Sequence, residues 1–363
     1  MANSTTSLSS VTDVTEGDGG GGGDGDMLGV LFYTLNGQQI TAVNLLFYSV
    51  QIVVAAFILT LNGLVLDTMV RQGQSREPAD LLVAGLALTD ALTGVFVLWV
   101  TVYTLVYFQT VYECLTRLGL AHSMMITGML HLLGLTADRF LKIVTPYRYN
   151  SLCQKWTVWV VMATMWVTGI TLGSLPTFGW NGADKPRDPD DPECSYFYIM
   201  DDRFLSFFLS VMSAIMIVIV LLYGKLFCVA RRHATAIAAM TVTGDGTHTT
   251  KVWDHAWRYT KTVLVIIGVN YACWLPTGIL VVGSITGTFG DMSTSRKGDF
   301  MLYTSTLVYC NSLLNPLIYA MKIPAIRHRY RAIFCRCRKQ DGDDRLTSTA
   351  GQLTVLSVTK QGQ

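Results

Sequence analysis

Apolar residues in this chain gather into seven blocks, each too long and too continuous for the interior of a water-soluble domain. They run over roughly 43–69, 80–107, 114–144, 155–179, 204–230, 257–286 and 300–321. A helix of about 20 apolar residues crosses the hydrocarbon core of a bilayer. Lipid offers backbone groups no partner, so a spanning segment must satisfy its own hydrogen bonds, as a helix does. Each block therefore predicts one membrane span. The expected fold is an all-α membrane protein, a seven-transmembrane helix bundle over residues 41–322. From Lys322 to Phe334 basic and apolar residues alternate, which predicts a short amphipathic eighth helix on the inner membrane surface, within 323–337. Residues 1–40, with Gly17 to Gly25 broken only by Asp, read as a disordered tail, and so do residues 338–363.

Composition agrees with that pattern. Of 363 residues, 51% are hydrophobic and only 14% charged, against about 25% charged in ordinary soluble domains. The net charge of +2 hides a strong asymmetry. With the N-terminus outside, 21 of the 27 Lys and Arg fall on the inner side. The outer six are Arg117, Lys185, Arg187, Arg203, Arg296 and Lys297. This is the positive-inside distribution. It predicts a multi-pass protein of the plasma membrane with an extracellular N-terminus, and it suggests no nucleic-acid partner. No basic stretch followed by an apolar one opens the chain, so no cleavable signal peptide is expected. Asn3-Ser4-Thr5 is a short glycosylation sequon on the outer side.

Polar residues inside the spans need reasons. Asn311-Ser-Leu-Leu-Asn-Pro-Leu-Ile-Tyr319 closes the last span. Pro316 removes a helix hydrogen bond, and the freed carbonyl must be satisfied by neighbours or water. Asp90 lies deep in the second span, where an ionisable side chain marks function by default. Together with Asn62, Ser312, Asn311 and Asn315 it makes one polar cluster if the helices converge, able to hold Na⁺ or shuttle a proton. Asp138-Arg139-Phe140 ends the third span; charges at helix ends commonly just snorkel to water. Helix six carries a second kink at Cys273-Trp274-Leu275-Pro276, with Asn270 one turn earlier.

The eight cysteines sort by side. Cys114 and Cys194 are the pair on the oxidising side, which predicts a disulfide between the top of helix three and the long outer loop. Cys153, Cys228, Cys273 and Cys310 read as free thiols. Cys335 and Cys337 follow the amphipathic stretch, a setting for S-palmitoylation. No spacing suggests a zinc site, and no nucleophile elbow or phosphate loop appears, so an enzyme is not expected.

Taken in order, these residues resemble the rhodopsin-like (class A) G-protein-coupled receptors. The likeness covers about 43 to 337 and rests on Asn62, Leu86 to Asp90, Cys114 twenty-five residues before Arg139, Trp166, Tyr223, Cys273 to Pro276 and Asn315 to Tyr319. It implies roles by position. Asn62, Asp90, Trp274, Asn311, Ser312 and Asn315 would line a sodium-and-water pocket. Asp138 and Arg139, followed by Phe140, would hold the inactive state. Trp274 would sense ligand, and Pro276 would be the hinge for outward movement of helix six, with Pro316 kinking helix seven. Tyr223 and Tyr319 would meet through water near Arg139, and Pro146 and Tyr147 would contact the Gα subunit. The implied partners are an extracellular small-molecule, lipid or peptide ligand, a heterotrimeric G protein, arrestin and receptor kinases, and membrane lipids.

Departures from the family pattern shape the expectations. Gly128 stands where a Ser often completes the sodium pocket, Ile215 replaces the usual Pro of helix five, and Asn270 replaces a usual Phe. Ala256 sits where an acid would pair with Arg139, with Asp254 nearby, so appreciable basal signalling is expected. Ala121 replaces the Asp that holds a biogenic amine, and helix seven has no Lys for retinal, with Tyr309 near that position. The Gly-Trp-Asn after helix four and the missing Pro look like the adenosine, lysophospholipid, cannabinoid and melanocortin receptor group. His122, Met125, Trp274, Thr277, Ser305 and Tyr309 are the expected ligand-pocket residues by position. The rival reading is a secondary transporter or proton channel using Asp90 and Asn315. Transporters of that kind show repeats with broken helices in both halves, and no repeat is evident here.

Overall fold

The computed structural model describes residues 32–35, 38–71, 78–106, 110–184, 194–240, 268–322 and 324–334. A hairpin of β1 (Phe32–Leu35) and β2 (Gln38–Thr41) leads directly into α1 (Ala42–Arg71). The other helices are α2 (Pro78–Val106), α3 (Val111–Val144), α4 (Pro146–Leu152), α5 (Lys155–Gly173), α6 (Tyr196–Ile199) and α7 (Asp202–Met240). They are followed by α8 (Gly268–Ile285), α9 (Thr294–Lys322) and α10 (Pro324–Phe334). Six of these, α1, α2, α3, α5, α7 and α8, are long and apolar enough to cross a membrane. The seventh long helix is α9, whose 29 residues rise about 43 Å. Its first turns carry Arg296, Lys297 and Asp299, and its middle carries Asn311 and Asn315, so it is the most polar of the set.

Several boundaries depart from the hydropathy reading. The apolar block that reads as 155–179 stops being helical at Gly173, with Ser174 as C-cap. Pro176 cannot continue the ladder, and the chain turns through Gly179 at φ 116°, a left-handed conformation suited to glycine. Helix α3 starts earlier than its apolar block because polar residues make its cap. Thr110 accepts from the Glu113 N–H while Glu113 reaches back to the Thr110 N–H. The paired strands at 32–41 replace the last part of the expected tail. The short helices α4 and α6 have no apolar period to announce them. Pro276 and Pro316 both lie within helices, as expected.

Helix α3 is central. With α7 and α8 it builds one apolar core around Ile126, Met129, Phe204, Phe208, Ile219 and Val281. Ile215, where a proline is usual, is simply buried in that core. A second core joins α1, α2, α3 and α5 to α9 and α10 through Val65, Leu86, Leu135, Met162, Tyr319 and Ile326. Helix α5 packs on α3 through glycine: a Cβ on Gly173 would overlap the backbone of Ser123, and one on Gly169 would overlap Thr127. Helix α10 is tied back by Tyr330, whose hydroxyl donates to the Leu61 carbonyl at 2.9 Å, and by Arg329 on Asp67 at 2.9 Å.

At the far end of the bundle Cys114 and Cys194 form the expected disulfide, and Cys153, Cys228, Cys273 and Cys310 are free. The bridge closes a loop with a sequence separation of 80. Its loss removes about 4–5 kcal/mol of denatured-chain restriction in the loop-entropy treatment. Cys194→Ser should therefore lower the Tm of purified protein markedly, and adding Cys114→Ser should lower it little further. Equal melting with and without the bridge would refute this.

Candidate functional site

Two cavities are stacked along the bundle axis. The larger, about 1120 Å³, opens toward the disulfide end and is walled by α2, α3, α7, α8 and α9. All six residues expected from position line it: His122, Met125, Trp274, Thr277, Ser305 and Tyr309. Residues from Cys194 to Tyr196 reach its wall, held there by the disulfide and by α6, whose Ile199 is fully buried. His122 is locked in place. Its Nδ1 lies 2.6 Å from the Leu118 carbonyl, so that nitrogen carries the hydrogen and Nε2 accepts from the Tyr196 hydroxyl at 3.2 Å. Phe204 and Phe208 stand edge-on to the ring at 5.3 and 4.5 Å between centroids.

The smaller cavity, about 50 Å³, is lined by Asp90, Asn311, Ser312 and Asn315. Asn315 Nδ2 donates to Asp90 Oδ2 at 2.8 Å across 225 residues of sequence. Asn62 Nδ2 donates to its own helix at Ile58 and to the Ser312 carbonyl at 3.2 Å, and so joins α1 to α9 without itself lining the cavity. Asn311 turns the other way in its bonding: its Oδ1 accepts from Asn270 Nδ2 at 3.2 Å, linking α8 to α9. Gly128 lines the cavity and brings no side-chain oxygen. Lining residues that carry a side-chain oxygen include Asp90, Thr93, Asn311, Ser312 and Asn315, and a monovalent cation placed among them would have to keep waters in its shell. Phe96, Ala121, Met125, Met129, Trp274 and Tyr309 line both cavities, so the floor of one is the roof of the other.

At the α10 end Arg139 is 42% exposed and its Nε lies 3.8 Å from Asp138 Oδ2. Asp138 is buried, and its Oδ1 accepts from the Tyr149 hydroxyl on α4 at 2.7 Å. Burial, then the bond to Asp138, pushes the Tyr149 phenol above its ordinary range, so it stays a donor at neutral pH. Asp138 thus pairs with Arg139 only at long range through Oδ2, while its other oxygen is held closely by a neutral phenol. Tyr319 is buried and lies within electrostatic range of Tyr223 and Arg139, with no direct bond between the two phenols among the described residues. Phe140 is half-buried, Pro146 exposed, and Tyr147 almost wholly exposed at 99%. Asn3, Cys335, Cys337, Asp254 and Ala256 lie outside the described residues.

Sequence reasoning passed over three features. Gln51 bridges α1, α2 and α9, donating to Thr306 Oγ1 and accepting from Thr101, both at 3.0 Å. A buried Gln in an apolar span was signal enough. Asn44 joins Asp299 and Tyr303, each at 2.8 Å. Tyr149 had no local signal, since only the fold brings it to Asp138.

Comparison with known proteins adds a family match and three relatives. A family model described as 7 transmembrane receptor (rhodopsin family) matches residues 61–319. Sphingosine 1-phosphate receptor 1 from Danio rerio is 27% identical over 290 residues, covering 77% of this chain and 75% of the relative. Adenosine receptor A2b from Gallus gallus is 24% identical over 328 residues, covering 85% and 94%. Cannabinoid receptor 1 from Xenopus laevis is 27% identical over 310 residues, covering 80% of this chain and 63% of the relative.

Proposed function

This chain belongs to the rhodopsin family of seven-transmembrane receptors, and from that premise we propose that an extracellular ligand entering the larger cavity drives nucleotide exchange on a heterotrimeric G protein. The protein is an integral multi-pass membrane receptor. Our reading puts the disulfide end outside, at the plasma membrane, and Arg139, α4 and α10 at the cytoplasm.

The observation that carries this reading is the shared partition between the two cavities. A ligand that presses on Trp274 and Tyr309 acts on the walls of both. Below them, Asn270 on α8 is hydrogen-bonded to Asn311 on α9. Pro276 weakens the α8 ladder close above that bond. A ligand that prefers the state with α8 swung outward shifts the population by its differential affinity alone. The opened inner crevice then admits the C-terminal helix of Gα, a helix-in-groove contact in which Arg139, Pro146 and Tyr147 take part. The receptor supplies no bond chemistry; it accelerates GDP release by binding the emptied Gα. A Na⁺ held at Asp90 and Ser312 would oppose this by keeping α2 and α9 together. The outer tail sequon, the two cysteines after α10, and the Ser and Thr of the inner tail are where glycosylation, palmitoylation, and kinase and arrestin contact are assigned.

Arg139 is only loosely held, so agonist-free exchange should be measurable. Purified full-length receptor in nanodiscs should raise nucleotide exchange on added heterotrimer above the no-receptor rate, and Arg139→Ala should return it to that rate. A distance measurement between α3 and α8 should lengthen when G protein is bound. Exchange at the no-receptor rate together with ion flux in sealed vesicles would replace this reading by the transporter one.

A further inference from the structure

Arg117, Asp299 and His122, on the wall of the larger cavity, already have protein partners. The Arg117 guanidinium lies 4.8 Å from the Tyr103 ring centroid and bonds Thr104 Oγ1 at 3.5 Å. Asp299 accepts from Asn44 Nδ2 at 2.8 Å. His122 has both ring nitrogens engaged, by the Leu118 carbonyl and the Tyr196 hydroxyl. Each of these groups already has a protein partner, so a charged ligand would have to compete with that partner as well as shed its water, which is unfavourable in so apolar a setting.

Uncharged polar groups are placed differently. Thr277 is only 9% exposed and its hydroxyl has no protein partner, and the buried Trp274 Nε1 has none either. The two residues are three apart on α8 and so neighbour each other on one face. Indole nitrogen donates only, and the threonine hydroxyl can donate, so what they ask for is a single acceptor such as a carbonyl oxygen. Near the mouth, the Ser195 hydroxyl is also buried without a partner and lines the same cavity. The remaining wall is soft. Met125 and Met129 on α3 face a space shared with Met212 and Met216 on α7. Unbranched, polarisable methionines adapt to a flexible chain better than to a rigid ring system.

We infer that the ligand class of this cavity is an uncharged single-chain amphiphile, its ester or amide carbonyl accepting from Thr277 and Trp274 and its apolar chain lying among the methionines. The inference takes only its location from the receptor reading above.

The test is equilibrium binding to the purified full-length receptor, using probes that share one oleoyl chain. The probes are 1-oleoylglycerol and N-oleoylethanolamine (uncharged), oleate and 1-oleoyl-lysophosphatidate (anionic), and oleylamine (cationic), with adenosine as a chainless control. The uncharged pair should bind at least tenfold more tightly than the charged probes. Thr277→Val should weaken the uncharged pair about five- to tenfold, the effect of one hydrogen bond, and Thr277→Ser should restore it. Met212→Trp should move the preferred acyl chain to a shorter length. Tighter binding of an anionic or cationic probe, tighter binding of adenosine, or no binding by any oleoyl probe overturns the inference. So does a Thr277→Val variant that binds like the unmodified protein. Agonist-free nucleotide exchange by the same preparation is read separately, so a wrong ligand class is distinguished from a protein that is not a G-protein activator.

Discussion

Gly173→Ala should remove the protein from the surface of expressing cells, whereas Gly224→Ala should leave it at or above the unmodified level. Both replacements add one methyl group to a helix that crosses the membrane. At Gly173 that methyl meets the backbone nitrogen and Cα of Ser123, which cannot rotate out of the way. Relief requires α3 and α5 to move apart, and with them the neighbouring contact of Gly169 on Thr127. Overpacking of this sort costs about 1–3 kcal/mol, and more where backbone is the obstacle. Lipid supplies no hydrophobic force between helices, so close approach at small residues is a main source of attraction, and its loss is not made up elsewhere. At Gly224 a Cβ meets nothing within 4 Å, and the change to alanine favours the helix by up to about 1 kcal/mol. Surface labelling and thermal melting of the two variants, side by side, check the contrast. A Gly173→Ala protein that reaches the surface and melts normally would show that the α3–α5 approach is looser than described.

Asp90→Asn should separate the proposed signalling role of the smaller cavity from its structural one. The replacement keeps an oxygen that can accept from Asn315 Nδ2, so the α2–α9 bond at 2.8 Å survives and surface level stays close to normal. It removes the one carboxylate of the small cavity, and with it the charge that would hold a cation. Ligand-driven nucleotide exchange should change at least tenfold, and any dependence of binding on Na⁺ at constant ionic strength should vanish. Asp90→Leu should behave otherwise, because it leaves the Asn315 amide without its acceptor at a cost of about 1–3 kcal/mol. Radioligand or exchange assays at matched surface density decide. If Asp90→Asn fails to reach the surface, the carboxylate is there for folding, and the proposed role in switching falls.

Much of this was open to reading in the linear chain. The expected disulfide, the two helix-breaking prolines, the amphipathic α10 and the six residues of the larger cavity stand where the sequence places them. Spacing along a helix determines which side chains share a face, and that arithmetic is local. The polar cluster was legible only as an inventory. Asn62, Asp90, Asn311, Ser312 and Asn315 all stand out as polar residues in apolar spans, but their bonding does not: Asn311 turns to Asn270, while Asn315 and Ser312 bond Asp90. Such a choice depends on how far each helix is rotated about its own axis. A shift of one residue turns a side chain by about 100° and would reassign every partner. Tyr149 on Asp138 is a clearer case, since nothing in the second inner loop distinguishes that tyrosine from Tyr147 two residues before it. One is buried against a carboxylate and the other is almost entirely in solvent.

By itself the chain determined that it crosses a membrane as seven helices, which side of it is basic, and where those helices are bent. These follow from transfer free energies and backbone hydrogen bonding, which act on each segment alone. Only the tertiary structure decided that the floor of the larger cavity is the roof of the smaller one, that a phenol holds the carboxylate beside Arg139, and that α5 lies against α3 at backbone distance. Those are relations between segments remote in sequence, set by which small residues let two helices touch and by the rotational phase at which they do so.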